Sequence, residues 1–235
     1  LGDLAATSGA HVQTHCSESD WEHHNVINRF GRSDTEALRE FGLLTRHTVL
    51  AHGNLINDDD MAVILEAGAS IAHCPLSNVY FSNAVFPLRR ALEKGLRIGL
   101  GTDISGGPSA SLIDTARMTI AASRMLEEGV DPVQPSTSRG TVESRIDFRT
   151  AFWLATMGGA EALDLPVGAF QPGLQFDAFL VSLDDHTQDA ATAKPADNLA
   201  TNNLVGDALL QKIIMLTTPE NISATWVAGR KVHGS

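Results

Sequence analysis

Four short apolar runs in this chain each end in a polar residue able to do chemistry, and a helical stretch follows each run. The first is Ala10-His11-Val12-Gln13-Thr14-His15. The second is Thr48-Val49-Leu50-Ala51-His52, the third Ala69-Ser70-Ile71-Ala72-His73, and the fourth Arg97-Ile98-Gly99-Leu100-Gly101-Thr102-Asp103. Strands that alternate with helices indicate an α/β fold with a parallel sheet. Near-continuous apolar strands indicate burial on both faces. In a parallel barrel, side chains at the C-terminal strand ends converge on one rim. His15, His52, His73 and Asp103 occupy such ends, and that placement is the main functional signal in the chain.

The intervening segments read as helices. Residues 18–30 are polar and helical, and residues 34–44 form a second helix with Asp34 as its N-cap. A helix starting near Asn57 carries three Asp residues in its first turn and stops at Gly68. Met61, Ile64 and Leu65 form its apolar face. The next helix presents Leu88 and Leu92 and closes at Gly95. A glycine loop, Ser105-Gly106-Gly107-Pro108-Ser109, leads into a helix over residues 111–128. Residues 129–145, rich in Pro and Ser, read as loop. Residues 148–163 read as a helix with Phe152, Leu154, Ala155 and Ala162 as its apolar positions. After Leu165 the texture changes, which places a boundary between residues 1–165 and 166–235. In the second part residues 176–181 and 222–227 read as strands, 205–216 as helix and 184–198 as polar loop. Gly229-Arg230 makes a turn before Lys231-Val232.

The strand-end residues suit hydrolytic chemistry. His15 and Glu18 form H-x-x-E across a strand exit. Imidazole is a good Zn²⁺ ligand, and a carboxylate nearby can carry protons between water and substrate. A core His beside a solvated Glu gives the same pattern. His52 precedes Gly53, which permits close approach; a histidine hydrogen-bonded at a strand exit explains it equally. Asp103 follows a strand of little side-chain bulk and can bind metal or accept a proton, or can simply cap the Ser-Gly-Gly loop. His73 lines a pocket, and Cys74 reads as a small buried apolar group. His23 and His24 are adjacent and face different sides of a helix; His11, His47, His186 and His233 take a surface or structural reading.

Composition narrows the function classes. Lys+Arg 17 against Asp+Glu 28 gives a net charge of −11, which argues against nucleic-acid binding. No apolar run reaches the roughly 18 residues that cross a bilayer. Cys16 and Cys74 are the only cysteines and build no disulfide framework, so a reducing, cytoplasmic setting is expected. The P-C-x-x-C signature of the cytidine-deaminase fold is missing. The chain opens Leu1-Gly2-Asp3-Leu4 without Met and without a signal peptide, and is expected to be a piece of a longer protein.

Taken together, His15-Cys16-Ser17-Glu18, Leu50-Ala51-His52-Gly53, Ile71-Ala72-His73-Cys74-Pro75-Leu76-Ser77-Asn78 and Gly99-Leu100-Gly101-Thr102-Asp103 resemble the amidohydrolase superfamily. Their order matches the second half of that family's (β/α)8 barrel. Gly168-Ala169-Phe170, Phe176-Asp177-Ala178 and Trp226-Val227-Ala228-Gly229-Arg230 are similar to segments that complete the family's small β-sandwich. Gly101 through Gly107 and Ser109-Ala110-Ser111-Leu112 resemble the guanine deaminases in particular.

The resemblance implies the C-terminal half of a (β/α)8 barrel over residues 1–165 and part of a composite β-sandwich over 166–235. It implies zinc-dependent deamination of guanine to xanthine and ammonia. His15 and Asp103 would be metal ligands to one Zn²⁺, and Glu18, His52 and Asp103 catalytic, with all four meeting the purine. The family's H-x-H zinc ligands and its substrate-binding Arg are absent from these residues and are expected upstream, so the isolated segment is expected to be inactive. No nucleic-acid or membrane partner is implied, and a homodimer is left open. The alternatives are another amidohydrolase, either an adenosine-type deaminase or a chlorohydrolase, or a non-catalytic barrel fragment.

Overall fold

The computed structural model describes residues 1–182 and 204–234, in two compact units that divide between Leu165 and Pro166. The loop read at residues 184–198, and His186 with it, lie outside the described residues. In the first unit, strands β1 (Val12–Cys16), β2 (Thr48–His52), β3 (Ser70–His73) and β4 (Arg97–Leu100) form one sheet in sequence order. Every pairing is parallel. Among the described residues the sheet is open: it has four strands and does not close into a barrel.

Register explains the core. Leu50 pairs with Ile71 and Ile71 with Ile98, so three large apolar side chains form one row across the sheet. All three are fully buried. Burying a side chain of this size contributes about 1.5–3 kcal/mol.

The helices begin where their caps dictate. Ser19 and Ser33 cap α2 (Asp20–Phe30) and α3 (Asp34–Glu40) by accepting from Glu22 N and Glu36 N. Glu36 returns a bond to Ser33 N, completing a capping box. The cap is therefore Ser33 and not Asp34, which is the first helical residue and is turned inward. The helix stops at Glu40, short of the expected Leu44, because Gly42 takes a left-handed φ of 68°.

Asn57 caps α4 (Asp58–Ala67), which ends at left-handed Gly68. Its buried face is Met61 and Ile64; Leu65 lies one residue, or 100°, further round and is half exposed. Two helices had no apolar periodicity to announce them, α1 (Gly2–Ser8) and α5 (Pro75–Tyr80). The second starts on Pro75, a residue pre-set for a first helical turn. Helix α6 (Leu88–Glu93) buries Leu88 and Ala91.

Helix α7 (Leu112–Glu128) is capped by Ser111. The helix expected over residues 148–163 is interrupted. It runs as α8 (Phe148–Trp153), a π-helical segment Leu154–Gly158, and α9 (Gly159–Leu163). Leu154 and Ala162 are buried, whereas Phe152 is exposed. The π segment brings glycines against the sheet: a Cβ on Gly99 would lie 2.8 Å from Gly159 Cα. The low side-chain bulk of β4 thus has a packing cause.

The second unit is a three-stranded antiparallel sheet of β5 (Ala178–Val181), β6 (Ile222–Val227) and β7 (Arg230–His233), with α10 (Asp207–Leu216) between the first two in sequence. Ala228 and Gly229, both at positive φ, make the turn from β6 to β7.

Gly99→Ala tests the glycine contact. The added methyl meets backbone rather than a movable side chain, so the variant should lose about 1–3 kcal/mol of unfolding free energy. Unchanged denaturant midpoints would show that the sheet and the π segment have slack between them.

Candidate active site

Parallel pairing sends all four strand exits to one edge of the sheet. His15 is the penultimate residue of β1, and His52 and His73 are the last residues of β2 and β3. Asp103 follows three residues after Leu100 ends β4. Backbone strain gathers at the same edge. Four of the eight non-glycine residues with positive φ among those described are Ser17, His52, Asp103 and Ser105. Such conformations cost on the order of 1–3 kcal/mol each and persist where the surroundings hold them. At His52 the strain has a visible result. Register pairs His52 with Cys16 and would put both side chains on one face. The left-handed turn at His52 (φ 72°) breaks the alternation, and its ring stacks on His15 at 5.3 Å between centroids.

The β1 exit is tied down by a buried carboxylate. Asp34 Oδ2 accepts from Ser17 N at 2.9 Å and from Ser17 Oγ at 2.6 Å. Burial raises the Asp34 pKa, and the two Ser17 bonds oppose that rise. Ser17 O accepts from Leu55 N, and Cys16 O from Gly53 N, which sew the β1 and β2 exits together. The next residue is Glu18. Its N–H donates to Glu22 Oε2 at 2.7 Å and its carbonyl accepts from Asn54 Nδ2 at 2.9 Å.

The side chains of His15, Glu18 and His52 converge, with one ligand atom from each lying within 4.8 Å of the others. His52 Nε2 is 3.7 Å from Glu18 Oε2, and Glu18 Oε1 accepts from Asn83 Nδ2 at 3.2 Å. His52 is fully buried, and its Nδ1 lies 2.9 Å from Asn78 Oδ1. Asn78 Nδ2 donates to Asn54 Oδ1 at 2.7 Å. His52 Nε2 is buried without a hydrogen-bond partner. A buried nitrogen left in this way costs about 1–3 kcal/mol unless a ligand or cation meets it. Imidazole and carboxylate donors around such an atom form a set that a divalent cation of zinc type accepts.

Asp103 leaves the same edge but stands outside that three-residue cluster. Its carboxylate packs on Gly106, where a Cβ would come within 2.6 Å of Oδ2, so the Ser-Gly-Gly loop is glycine-rich to make room for it. His73 is buried, with its Nδ1 unpartnered. Cys74 is protonated: burial, then Asp103, push its pKa up to about 12. Burial and then Asp34 likewise raise the Cys16 thiol. Neither is a thiolate at neutral pH.

Among the remaining histidines, His11 and His47 stack on each other, and His24 Nδ1 contacts Asp20 O. His23 Nδ1 sits 3.2 Å from Ser17 Oγ, behind the site rather than on the surface. Sequence reasoning took Asp34 only as a helix cap and gave no role to Asn54, Asn78 or Asn83. Asn78 ends the Ile71–Asn78 motif and Asn54 directly follows Gly53, and those were their only signals in the sequence.

A parallel α/β sheet whose strand exits gather imidazole and carboxylate groups is an arrangement able to hold a divalent cation. The amidohydrolase family model matches residues 1–232, and the chain belongs to that family. It is 34% identical over 239 residues to guanine deaminase of Mus musculus, covering 99% of this chain and 49% of that protein. It is 36% identical over 172 residues to a 5-methylthioadenosine/S-adenosylhomocysteine deaminase of Pyrococcus abyssi, covering 73% of this chain and 38% of that one. The solved E. coli guanine deaminase superposes with a TM-score of 0.81 at 26% identity, over 100% of this chain and 51% of that one. The chain spans about half the length of the curated relatives it matches. Among the described residues, no helix is long and apolar enough to cross a membrane.

The buried His73 gives a pH signature. Burial, and secondarily His52, lowers its pKa from 6.5 to about 3. Between these values the unfolded chain binds a proton that the folded chain does not. Stability is therefore lost as pH falls from 6.5 towards 3, by up to about 1.4 kcal/mol per pH unit from this group. His73→Gln should show a correspondingly flatter acid limb in denaturant titrations. A constant gap between the two proteins across that window would remove His73 as the source.

Proposed function

We propose that this chain is the second half of a (β/α)8 amidohydrolase barrel, residues 1–165, followed by part of a β-sandwich, residues 166–235, and that the complete protein deaminates guanine to xanthine and ammonia. The convergence of His15, Glu18 and His52 at the strand exits carries the reading. The guanine deaminase relative that matches 99% of the chain supports the substrate. Two buried, unpaired cysteines support a cytoplasmic setting.

His15 and Asp103 would hold one Zn²⁺, with further ligands from the other half of the barrel, since a catalytic zinc commonly takes three protein ligands. When bound, zinc supplies Lewis acidity and an activated water. The chain's own residues do the rest. Glu18 is the proton carrier: Asn83 steadies one carboxylate oxygen and leaves the other facing His52. It takes one proton from the attacking water and passes it to a ring nitrogen of the purine as the water oxygen adds at carbon. His52 orients water and substrate through Nε2. Asp103 accepts the second proton of water and returns it to the departing amine, so that the C–N bond breaks, the carbonyl forms and ammonia leaves. The stacked His15 and His52 rings give the aromatic purine a flat wall.

In the full-length protein, Glu18→Gln should lower turnover on the order of 10²–10⁴-fold while metal content is retained. Ammonia release and metal analysis on one preparation decide it, and near-normal turnover would take Glu18 out of the chemistry.

A second reading, deamination of an adenosine-type nucleoside, is favoured by the Pyrococcus relative. A panel of guanine, adenine, adenosine, methylthioadenosine and cytosine separates the two. Guanine should give the highest kcat/KM; a nucleoside that outperforms it would transfer the assignment.

A further inference from the structure

We propose that Asn54 and Asn78 are positioning residues that lock His52 in its Nδ1-protonated tautomer and so hold a bare Nε2 lone pair in the site. The Glu18 carbonyl can only accept, so the Asn54 atom 2.9 Å from it is the amide nitrogen. Asn54 therefore turns its Oδ1 the other way, where it accepts at 2.7 Å, and the partner must be Asn78 Nδ2. Asn78 is left with its Oδ1 facing His52 Nδ1 at 2.9 Å. An amide oxygen cannot donate, so Nδ1 carries the hydrogen. A neutral imidazole has one N–H, and Nε2 is then an acceptor.

Each link depends on the one before it, and the chain starts at a backbone atom that cannot flip. Asn54, Asn78 and His52 are all buried, so no solvent molecule substitutes readily for a missing link. The unpartnered state of His52 Nε2 follows directly: it is a lone pair 3.7 Å from a carboxylate that has no hydrogen to offer while ionised. The opposite tautomer would place N–H against Glu18 and use the carboxylate as its acceptor. It would tie up the group assigned to proton transfer. The direction of two amides thus decides whether Glu18 and His52 are locked to each other or both face an incoming ligand. Their importance deepens the proposed deaminase reading, but the tautomer itself is a property of the folded chain.

Nitrogen NMR of ¹⁵N-histidine in the full chain, without metal or substrate, reads the tautomer directly. The His52 signals are assigned by their loss in His52→Gln. Wild type should show Nδ1 protonated and Nε2 bare. Asn78→Leu removes the acceptor and should shift the tautomer ratio about tenfold towards Nε2–H, as expected for one buried hydrogen bond. Asn54→Leu frees the Asn78 amide to turn and should move the ratio the same way. Asn54→Asp keeps an acceptor for Asn78 Nδ2 and should retain the wild-type tautomer, a separation that a packing role for Asn54 does not produce. An Nε2–H signal in wild type overturns the proposal even if the leucine variants fail to fold. So does an unchanged tautomer in folded Asn78→Leu. A shift in Asn78→Leu without one in Asn54→Leu would end the relay at Asn78. Because no turnover is measured, failure here leaves the guanine panel to judge the deaminase reading independently.

Discussion

Parallel, in-register pairing of four strands is the constraint on which the rest of the first unit depends. It makes one apolar row out of Leu50, Ile71 and Ile98, and it delivers every strand terminus to one edge. The energy of the row and the placement of the site are therefore not separate achievements. A slip of one residue in any pair would turn Leu50 or Ile98 off its face and would scatter His15, His52 and Asp103 at the same time. The register that buries the core is also the one that brings the polar strand ends together.

That edge is where local preferences are overridden. Ser17, His52, Asp103 and Ser105 hold positive φ without being glycine, and Asp34 sits in the interior although burial disfavours its charge. The compensation is specific. Two hydrogen bonds from Ser17 hold the Asp34 carboxylate, and an unbroken set of amide contacts runs from Glu18 through Asn54 and Asn78 to His52. Such networks are worth most when every member is satisfied. Here the satisfied members all lie behind the site, and the unsatisfied atom, His52 Nε2, faces into it.

This division explains what the sequence disclosed. The sheet, its parallel sense and the four strand exits were legible because burial writes apolar runs and each run ended on a reactive residue. The π segment was not, because Leu154–Gly158 carries an ordinary helical pattern and the close approach of Gly158 and Gly159 to Gly99 exists only in the fold. Asp34 misleads for a local reason: Asp at a helix start resembles a cap, and only the fold shows that Ser33 performs that task while Asp34 reaches back 17 residues to Ser17. Asn54 and Asn78 belong to the same class. An asparagine in a turn carries no periodicity, and its meaning lies in a partner 24 residues away. The residues proposed to act directly could be named from strand position, whereas those proposed to orient them could not.

The third strand shows why exit position alone is an incomplete guide. His73 ends β3 as His52 ends β2, yet the two are held in opposite conditions. Nothing hydrogen-bonds His73 Nδ1, and burial keeps its ring neutral far into the acid range. Its neighbour Cys74 is held as a thiol by burial and by Asp103. A neutral ring against Phe86 and a protonated thiol against Gly101 act as apolar filling between β2 and β4. The bulk at β3 is buried and adds no charge beside His52 and Asp103. A cationic His73 at that point would repel any metal or protonated group in the site. The low pKa of His73 thus keeps one strand-end histidine neutral beside the nitrogen proposed to be bare on His52.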